Sequence, residues 1–382
     1  MTRQTLKKHT ILSSALLFSA ALTSISALGG EVNSDCTALW QSDLTISNAG
    51  PKPFNGDTNA AYAAIGYYVD KDLAFKIEGK FPKARFFSIE SYKSKSNKDF
   101  DSVMDFRVIP NKGQVNPYTG SGNSSDDSSF VIDVGGSIKS IQRTQLALPY
   151  KSSTASIWMR IYAPDGVGSF PQEDLPKLTA YTKDFSRKRA CPKTFKIPLY
   201  TKYPQVLTRI LPVQSEFDFS VFDVGLAGNN AIPGYSFGAS HVKQGDVMIA
   251  KVLAPKHKSS SSQERSTPGD PNQYDVRYWS MCSQDVAGNK GLGCVKDEDA
   301  HRDEMGYMTV VVSSNLEVLE YAKSLGYNTI FDARDRKQTL LMLAFRNILP
   351  EEQFRPNVYK GEYNPKGKIC RPEDFLNNSC SL

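Results

Sequence analysis

Histidine is scarce in this chain, with four in 382 residues, and His9 sits in a segment that reads as removed on export. The other three, His241, His257 and His301, form no His-x-x-x-His pair and have no Glu-flanked zinc spacing. The common helical metalloprotease site therefore has no anchor. No glycine-rich phosphate loop is present, and no serine-hydrolase triad is expected. Lysine and arginine form no stripe, so nucleic acid is not an expected partner. Past the N-terminus no run is apolar enough to cross a bilayer, and no transmembrane span is expected after the first segment is removed. Neither a cofactor nor a metal site is expected, because the cysteines lack the clustered spacing of zinc ligands.

What is present points to export. Arg3, Lys7 and Lys8 precede an apolar stretch from Ile11 to Ile25, and Ala27, Gly29 and Gly30 follow. A basic head, a short apolar core and small residues near a cut site are the marks of a signal peptide, here residues 1–29. The expected address is secreted or periplasmic. Loss of the three basic residues would bring the formal charge from +6 to about +3. A hydrophobic share of 40% suits a folded chain.

Six cysteines follow that segment: Cys36, Cys191, Cys282, Cys294, Cys370 and Cys380. An even number in an oxidising compartment suggests disulfides. The favoured pairs are Cys282 with Cys294 and Cys370 with Cys380, which leaves Cys36 for Cys191. On the chain-entropy view the long closure stabilises most, within roughly 3 to 5 kcal/mol for the set.

Alternation of apolar and polar residues predicts strands at Leu73–Glu78, Ala84–Tyr92, Phe130–Val134 and Ile157–Tyr162. Further strands are expected at Phe217–Val224, Val247–Val252 and Tyr307–Ser313. Turn-rich stretches at 116–129 and 256–271 read as exposed loops. Helices are expected at Leu316–Leu325 and at Arg336–Leu349, the latter with Leu340, Leu343 and Ala344 on one face and Pro350 as a stop. The fold class is mainly β: two β-sandwich or jelly-roll-like units, residues 30–190 and 191–382, with a short C-terminal helical element.

Several residues could carry chemistry. Asn55 to Asn59, with Asp57 and Asn59, could supply oxygens to a ligand, or form an Asx-rich turn. Arg85, Arg160 and Arg277 each interrupt an apolar run, where a charge needs a partner. Converging, they could clamp a carboxylate, sulfate or phosphate. Otherwise they form separate structural pairs, with Glu90 or Asp105 among the partners. His301, beside Asp299, Asp303 and Glu304, could be a general base or part of a charged surface turn. His257, in the basic loop, is expected to be solvated.

The run Arg277-Tyr278-Trp279-Ser280-x-Cys282 is the most distinctive in the chain. Other elements accompany it: Asp57-x-Asn59-x-x-Tyr62, Gly79 to Ser88, Asn116-Pro117, Arg160 to Asp165, Lys251 to Pro255, and Leu349-Pro350. With these the chain resembles a widespread uncharacterised family of secreted bacterial proteins. The likeness implies export and a shared architecture over most of the mature chain. It implies no substrate. The serine-rich insertion ahead of Arg277 departs from the family pattern.

Two functional readings follow. One is a binding or surface-associated protein for a glycan or small polar ligand, with Tyr67, Tyr68, Tyr118 and Trp279 as stacking candidates and Asn59, Tyr62, Arg85, Arg160 and Arg277 as ligand contacts. The other is a secreted enzyme acting on a polysaccharide or small polar substrate, with Asp57 or His301 as acid or base.

Overall fold

A computed structural model describes residues 33–41, 52–53, 56–93, 99–119, 127–136, 143–164, 174–197, 215–222, 235–257, 274–288, 290–334 and 338–382. Residues 1–29, expected to be a signal peptide, and Asn55, the serine-rich stretch from 258 onward and Arg336 lie outside the described residues.

Among the described residues the chain forms four sheets. The first, four-stranded, runs in the order Thr144–Leu146, Ser129–Val134, Leu73–Lys80, Lys177–Thr182. The second, five-stranded, runs Thr194–Phe195, Ala60–Tyr68, Thr154–Pro164, Ala84–Lys93, Asp99–Met104. The third, six-stranded, runs Lys52–Pro53, Lys290–Lys296, Val276–Asp285, Gln338–Pro350, Tyr235–Lys243, Ser220–Phe222. The fourth, five-stranded, runs Glu216–Asp218, Lys366–Cys370, Val247–Leu253, Tyr307–Ser313, Asn328–Phe331. The protein is thus mainly β, as its alternating runs require, with a short helical region near the C-terminus.

The layers follow from side-chain alternation, since neighbours along a strand point to opposite faces. In the second sheet Ala61, Ala63, Ile65, Ile157, Met159 and Ile161 join Phe75, Ile77 and Ile132 of the first in one apolar core. In the third sheet Met281, Leu341, Leu343 and Phe345 join Met248, Ala250, Val310 and Val312 of the fourth. Between these pairs the second and third sheets meet, and Ala60, Phe86 and Tyr162 touch the cluster of Tyr278 and Ile348. Residues 33–382 group as one compact unit.

Helix α1, Leu316–Ser324, lies where the sequence places it. Its Val318, Leu319 and Ala322 cover the outer face of the fourth sheet together with Phe375 of helix α2, Pro372–Leu376. The Asn315 side chain accepts from the Glu317 and Val318 N–H groups at 3.0 and 3.4 Å. Gly326, at φ +76°, takes the left-handed turn that ends the helix. Asn315→Ala is expected to cost about 1 kcal/mol by loss of this cap. Urea midpoints check it.

The helix expected over Arg336–Leu349 is instead the strand Gln338–Pro350. It runs between Val276–Asp285 and Tyr235–Lys243. Leu341, Leu343 and Phe345 fill the core with the fourth sheet, while Leu340, Ala344 and Ile348 are buried on the other face. A strand covered on both sides loses its two-residue alternation, so its leucines mimic a helical pattern. The single strand expected over Phe217–Val224 is divided. Glu216–Asp218 belongs to the fourth sheet and Ser220–Phe222 to the third. Phe217 and Phe219 both enter the core between those sheets, where the chain crosses over.

All three cysteine pairs form as expected: Cys36–Cys191, Cys282–Cys294 and Cys370–Cys380. The loop between Cys282 and Cys294 is a hairpin, and the two cysteines face each other across its strands.

Candidate functional site

Asp57, Tyr62, Arg85, Tyr278 and Ser280 gather where the second and third sheets meet. Asp57 organises one end. Its Oδ1 accepts the Asn59 N–H at 2.8 Å, which makes the expected Asx turn. Its Oδ2 accepts the Tyr278 hydroxyl at 2.8 Å and the Ser280 hydroxyl at 2.5 Å. The Asp57 N–H donates to the Tyr62 hydroxyl at 3.2 Å. Burial, and then Asp57, pushes the Tyr62 phenol up to about 12. The same causes lift Tyr278 well above its ordinary range, so both phenols stay neutral, Tyr278 donating to Asp57 and Tyr62 accepting from it. Arg346 lies within electrostatic reach of Asp57, Tyr235, Tyr62 and Tyr162. Burial opposes its charge, but these neighbours raise its pKa.

The three candidate arginines go to separate carboxylates. Arg277 Nη1 lies 2.7 Å from both oxygens of Asp105. Arg85 Nη1 donates to Asp297 Oδ2 at 3.0 Å and to the Arg277 carbonyl at 3.3 Å. Arg85 Nη2 lies 2.5 Å from Glu298. Arg160 sits 3.4 Å from Glu90 and donates to the Tyr92 hydroxyl at 3.0 Å. The separate pairs with Glu90 and Asp105 are therefore both present. Two of the three pairs cross the boundary in opposite directions. Arg85 of the second sheet reaches Asp297, just past the third-sheet strand Lys290–Lys296, and Arg277 of the third sheet reaches Asp105, just past the second-sheet strand Asp99–Met104. Such reciprocal arginine–carboxyl contacts hold two layers in register.

Asp297 is buried, and burial lifts its carboxyl to about 7 although Arg85 and the Trp279 N–H pull the other way. His257 Nδ1 lies 3.7 Å from it, and the ring is largely covered rather than solvated. Between about pH 4 and about pH 7 the folded chain keeps a proton here that the unfolded chain has released. Stability from this group is full below about pH 4 and is lost as pH rises through about 7. Asp297→Asn is expected to flatten that fall, read as urea midpoints across the window.

His301 lies elsewhere. A cleft of about 320 Å³ opens on the outer face of the fourth sheet, lined by Lys251, His301, Arg302, Asp303, Tyr307, Thr309, Tyr327 and Asn378. Asn328 accepts the His301 N–H at 2.8 Å and donates to its carbonyl at 2.9 Å. This fixes the backbone while the side chain is exposed. Lys251 Nζ stands 4.9 Å from the centre of the Tyr307 ring and 3.8 Å from Asp303. The Tyr307 hydroxyl contacts Glu362. The structure brings Asp57, Asn59, Tyr62, Arg85, Arg160 and Arg277 to the layer between the second and third sheets, and places His301 beyond the fourth.

Of the aromatic candidates, Tyr67, Tyr118 and Trp279 are fully buried, and Tyr68 is 46% exposed. The first three pack in the cores, which corrects the expectation that they could stack on a sugar. Gly234-Tyr235-Ser236-Phe237-Gly238 matches the Gly-x-Ser-x-Gly pattern that serine hydrolases place on a strand-to-helix turn. Here Ser236 is buried as the second residue of the strand Tyr235–Lys243, and its hydroxyl donates to Asn364 at 2.9 Å. Among the described residues, Tyr235 to Gly238 run as strand and not as a strand-to-helix elbow.

Arg346 and Tyr235 were not singled out from sequence. A lone charge inside a long apolar run is the signal that marked the other arginines, and Arg346 carries it as well.

No protein-family model matches the chain, and no curated protein does. Solved structures do. One is an uncharacterised protein from Burkholderia cenocepacia, 11% identical, at a TM-score of 0.52 over 88% of this chain and 86% of that one. Another is a protein from Vibrio parahaemolyticus, 9% identical, at 0.44 over 84% and 91%. The first likeness shows a shared fold with a distant bacterial protein, and nothing about chemistry.

Proposed function

We propose that this is an exported binding protein, secreted or periplasmic, that takes a polyhydroxylated ligand of the glycan class in the cleft beside His301. The cleft carries the reading. Its size falls in the range of small-ligand sites, about 300 to 1,000 Å³. Its lining mixes donors, acceptors and aromatic rings with charges of both signs, which suits hydroxyl groups better than a single strong anion. His301 and Asn378 would bond hydroxyls, and Tyr307 and Tyr327 would offer ring faces. The polar layer between the second and third sheets is read as a lock between two sandwich units, with the boundary near Cys191.

A glycan array followed by titration calorimetry tests this. Tyr307→Ala is expected to weaken binding at least tenfold, and Tyr68→Ala, an exposed aromatic outside the cleft, to leave it unchanged. A wild-type chain that binds no glycan on the array would sink the reading. Release of reducing sugar from a bound glycan would assign hydrolysis instead of binding.

A further inference from the structure

One buried cluster lies outside the cleft and outside the arginine–carboxylate pairs, though its Asp57 shares their layer. Asp57, Cys282 and Cys294 each bring a ligand atom within 4.8 Å of the others. Cys282 and Cys294 are direct cross-strand partners, with Cα atoms 4.0 Å apart and a disulfide between them. Asp57 arrives from a third segment, ahead of the strand Ala60–Tyr68. Tyr278 and Ser280 hold its carboxylate in place. The Thr58 N–H donates to Cys294 Sγ at 3.1 Å, a bond that favours a thiolate there. Cys282 is fully buried, while Cys294 is partly exposed and offers a way in. A staple alone does not need a carboxylate held against it, since a disulfide has no proton to give.

We propose that this disulfide is the closed state of a binding site for a zinc-class divalent cation. An external dithiol would open it. Two electrons and two protons pass to the disulfide, the S–S bond breaks, Cys282 and Cys294 become thiols, and the donor becomes a disulfide. The cation then displaces both thiol protons to solvent. Two thiolates and the Asp57 carboxylate bind it, and a fourth position stays open, as in zinc sites that accept water or a ligand. Sulfurs bound at about 2.3 Å around a tetrahedral ion stand about 3.8 Å apart. Facing cysteines on paired strands reach that separation by side-chain rotation. The thiolates and carboxylate outweigh the cation's charge by one. An oxidising compartment keeps the site closed. Sequence spacing gave no zinc signature because the ligands lie on three segments, with Asp57 remote from both cysteines.

The test uses the full chain before and after a dithiol reductant, with bound zinc measured after dialysis and affinity by chelator competition. Cobalt in place of zinc reports thiolate ligation by its charge-transfer absorption. One zinc per chain is expected after reduction and none before. Asp57→Asn, which keeps the shape of the side chain, is expected to weaken binding at least tenfold. Cys282→Ser with Cys294→Ser is expected to abolish it. Cys370→Ser with Cys380→Ser, which removes the other local pair of thiols, is expected to keep it. Circular dichroism shows whether the reduced chain keeps its β spectrum. Failure of the reduced chain to stay folded, no zinc in a folded reduced chain, or equal binding without Cys282 and Cys294 would each overturn the proposal.

Discussion

Arg277→Ala is expected to destabilise the protein by about 3 to 5 kcal/mol, the range for breaking one side of a buried ion pair. Arg277 is 6% exposed, and Asp105 is fully buried. The substitution leaves the Asp105 carboxylate without its cation in a site where burial already lifts its pKa despite Arg277. The Phe87 and Phe106 N–H groups, which also reach Asp105, do not replace a charge. Replacing both partners, as Arg277→Met with Asp105→Leu, is expected to cost much less, because no buried charge remains. An exposed pair gives the scale. Arg189 with Asp70 is partly solvated, and its loss is expected to cost under about 1 kcal/mol. Urea unfolding of the three variants orders these effects. A second outcome is specific to a pair that crosses the boundary between layers. Arg277→Ala should lower the slope of the transition as the two sheet pairs begin to unfold separately. A cost below about 1 kcal/mol for Arg277→Ala would show that the pair does not lock the layers.

Much of this architecture was legible because half-buried strands announce themselves. Leu73–Lys80 and Tyr307–Ser313 carry an alternating apolar face, and that alternation survives; Ala84–Lys93 is buried on both faces, and polar Ser88, Glu90 and Ser91 between its apolar residues kept it readable. The strand Gln338–Pro350 was not legible, since burial on both sides removes the alternation that distinguishes strand from helix. The candidate site shows the same division. That Arg85, Arg160 and Arg277 need partners follows from their apolar surroundings. Glu90, two residues past Ser88 on the strand paired with Arg160, could be guessed from local register. Asp297 could not, for it reaches Arg85 across 212 residues of sequence. His301 stands out as a histidine among acidic residues. The cleft around it could not be read locally, because its lining joins segments as far apart in sequence as Lys251, Tyr307, Tyr327 and Asn378.

Removal of the Cys36–Cys191 disulfide, by alanine at both positions, is expected to cost about 5 kcal/mol on the chain-entropy model. Its closure spans 155 residues, against 10 for Cys370–Cys380, for which the same model gives about 3 kcal/mol. Local structure adds to the difference. Cys36 is fully buried in the core between the first and second sheets, beside Trp40, whose indole N–H donates to the Pro176 carbonyl at 2.9 Å. The Cys36 N–H donates to the Leu178 carbonyl at 2.7 Å, and the Cys191 N–H to the Asn33 carbonyl at 3.3 Å. The bridge therefore clamps the segment from Asn33 to Gln41 against the edge strand Lys177–Thr182, and through Gln41 and Ala64 against the second sheet. Without it the unfolded chain regains the freedom of a long loop, and the segment keeps only a few bonds at the sheet edge. Unfolding in urea without reductant measures both variants on one scale. If loss of Cys370–Cys380 costs as much as loss of Cys36–Cys191, loop closure is not what the long bridge contributes, and its stabilisation lies in the contacts around Cys36.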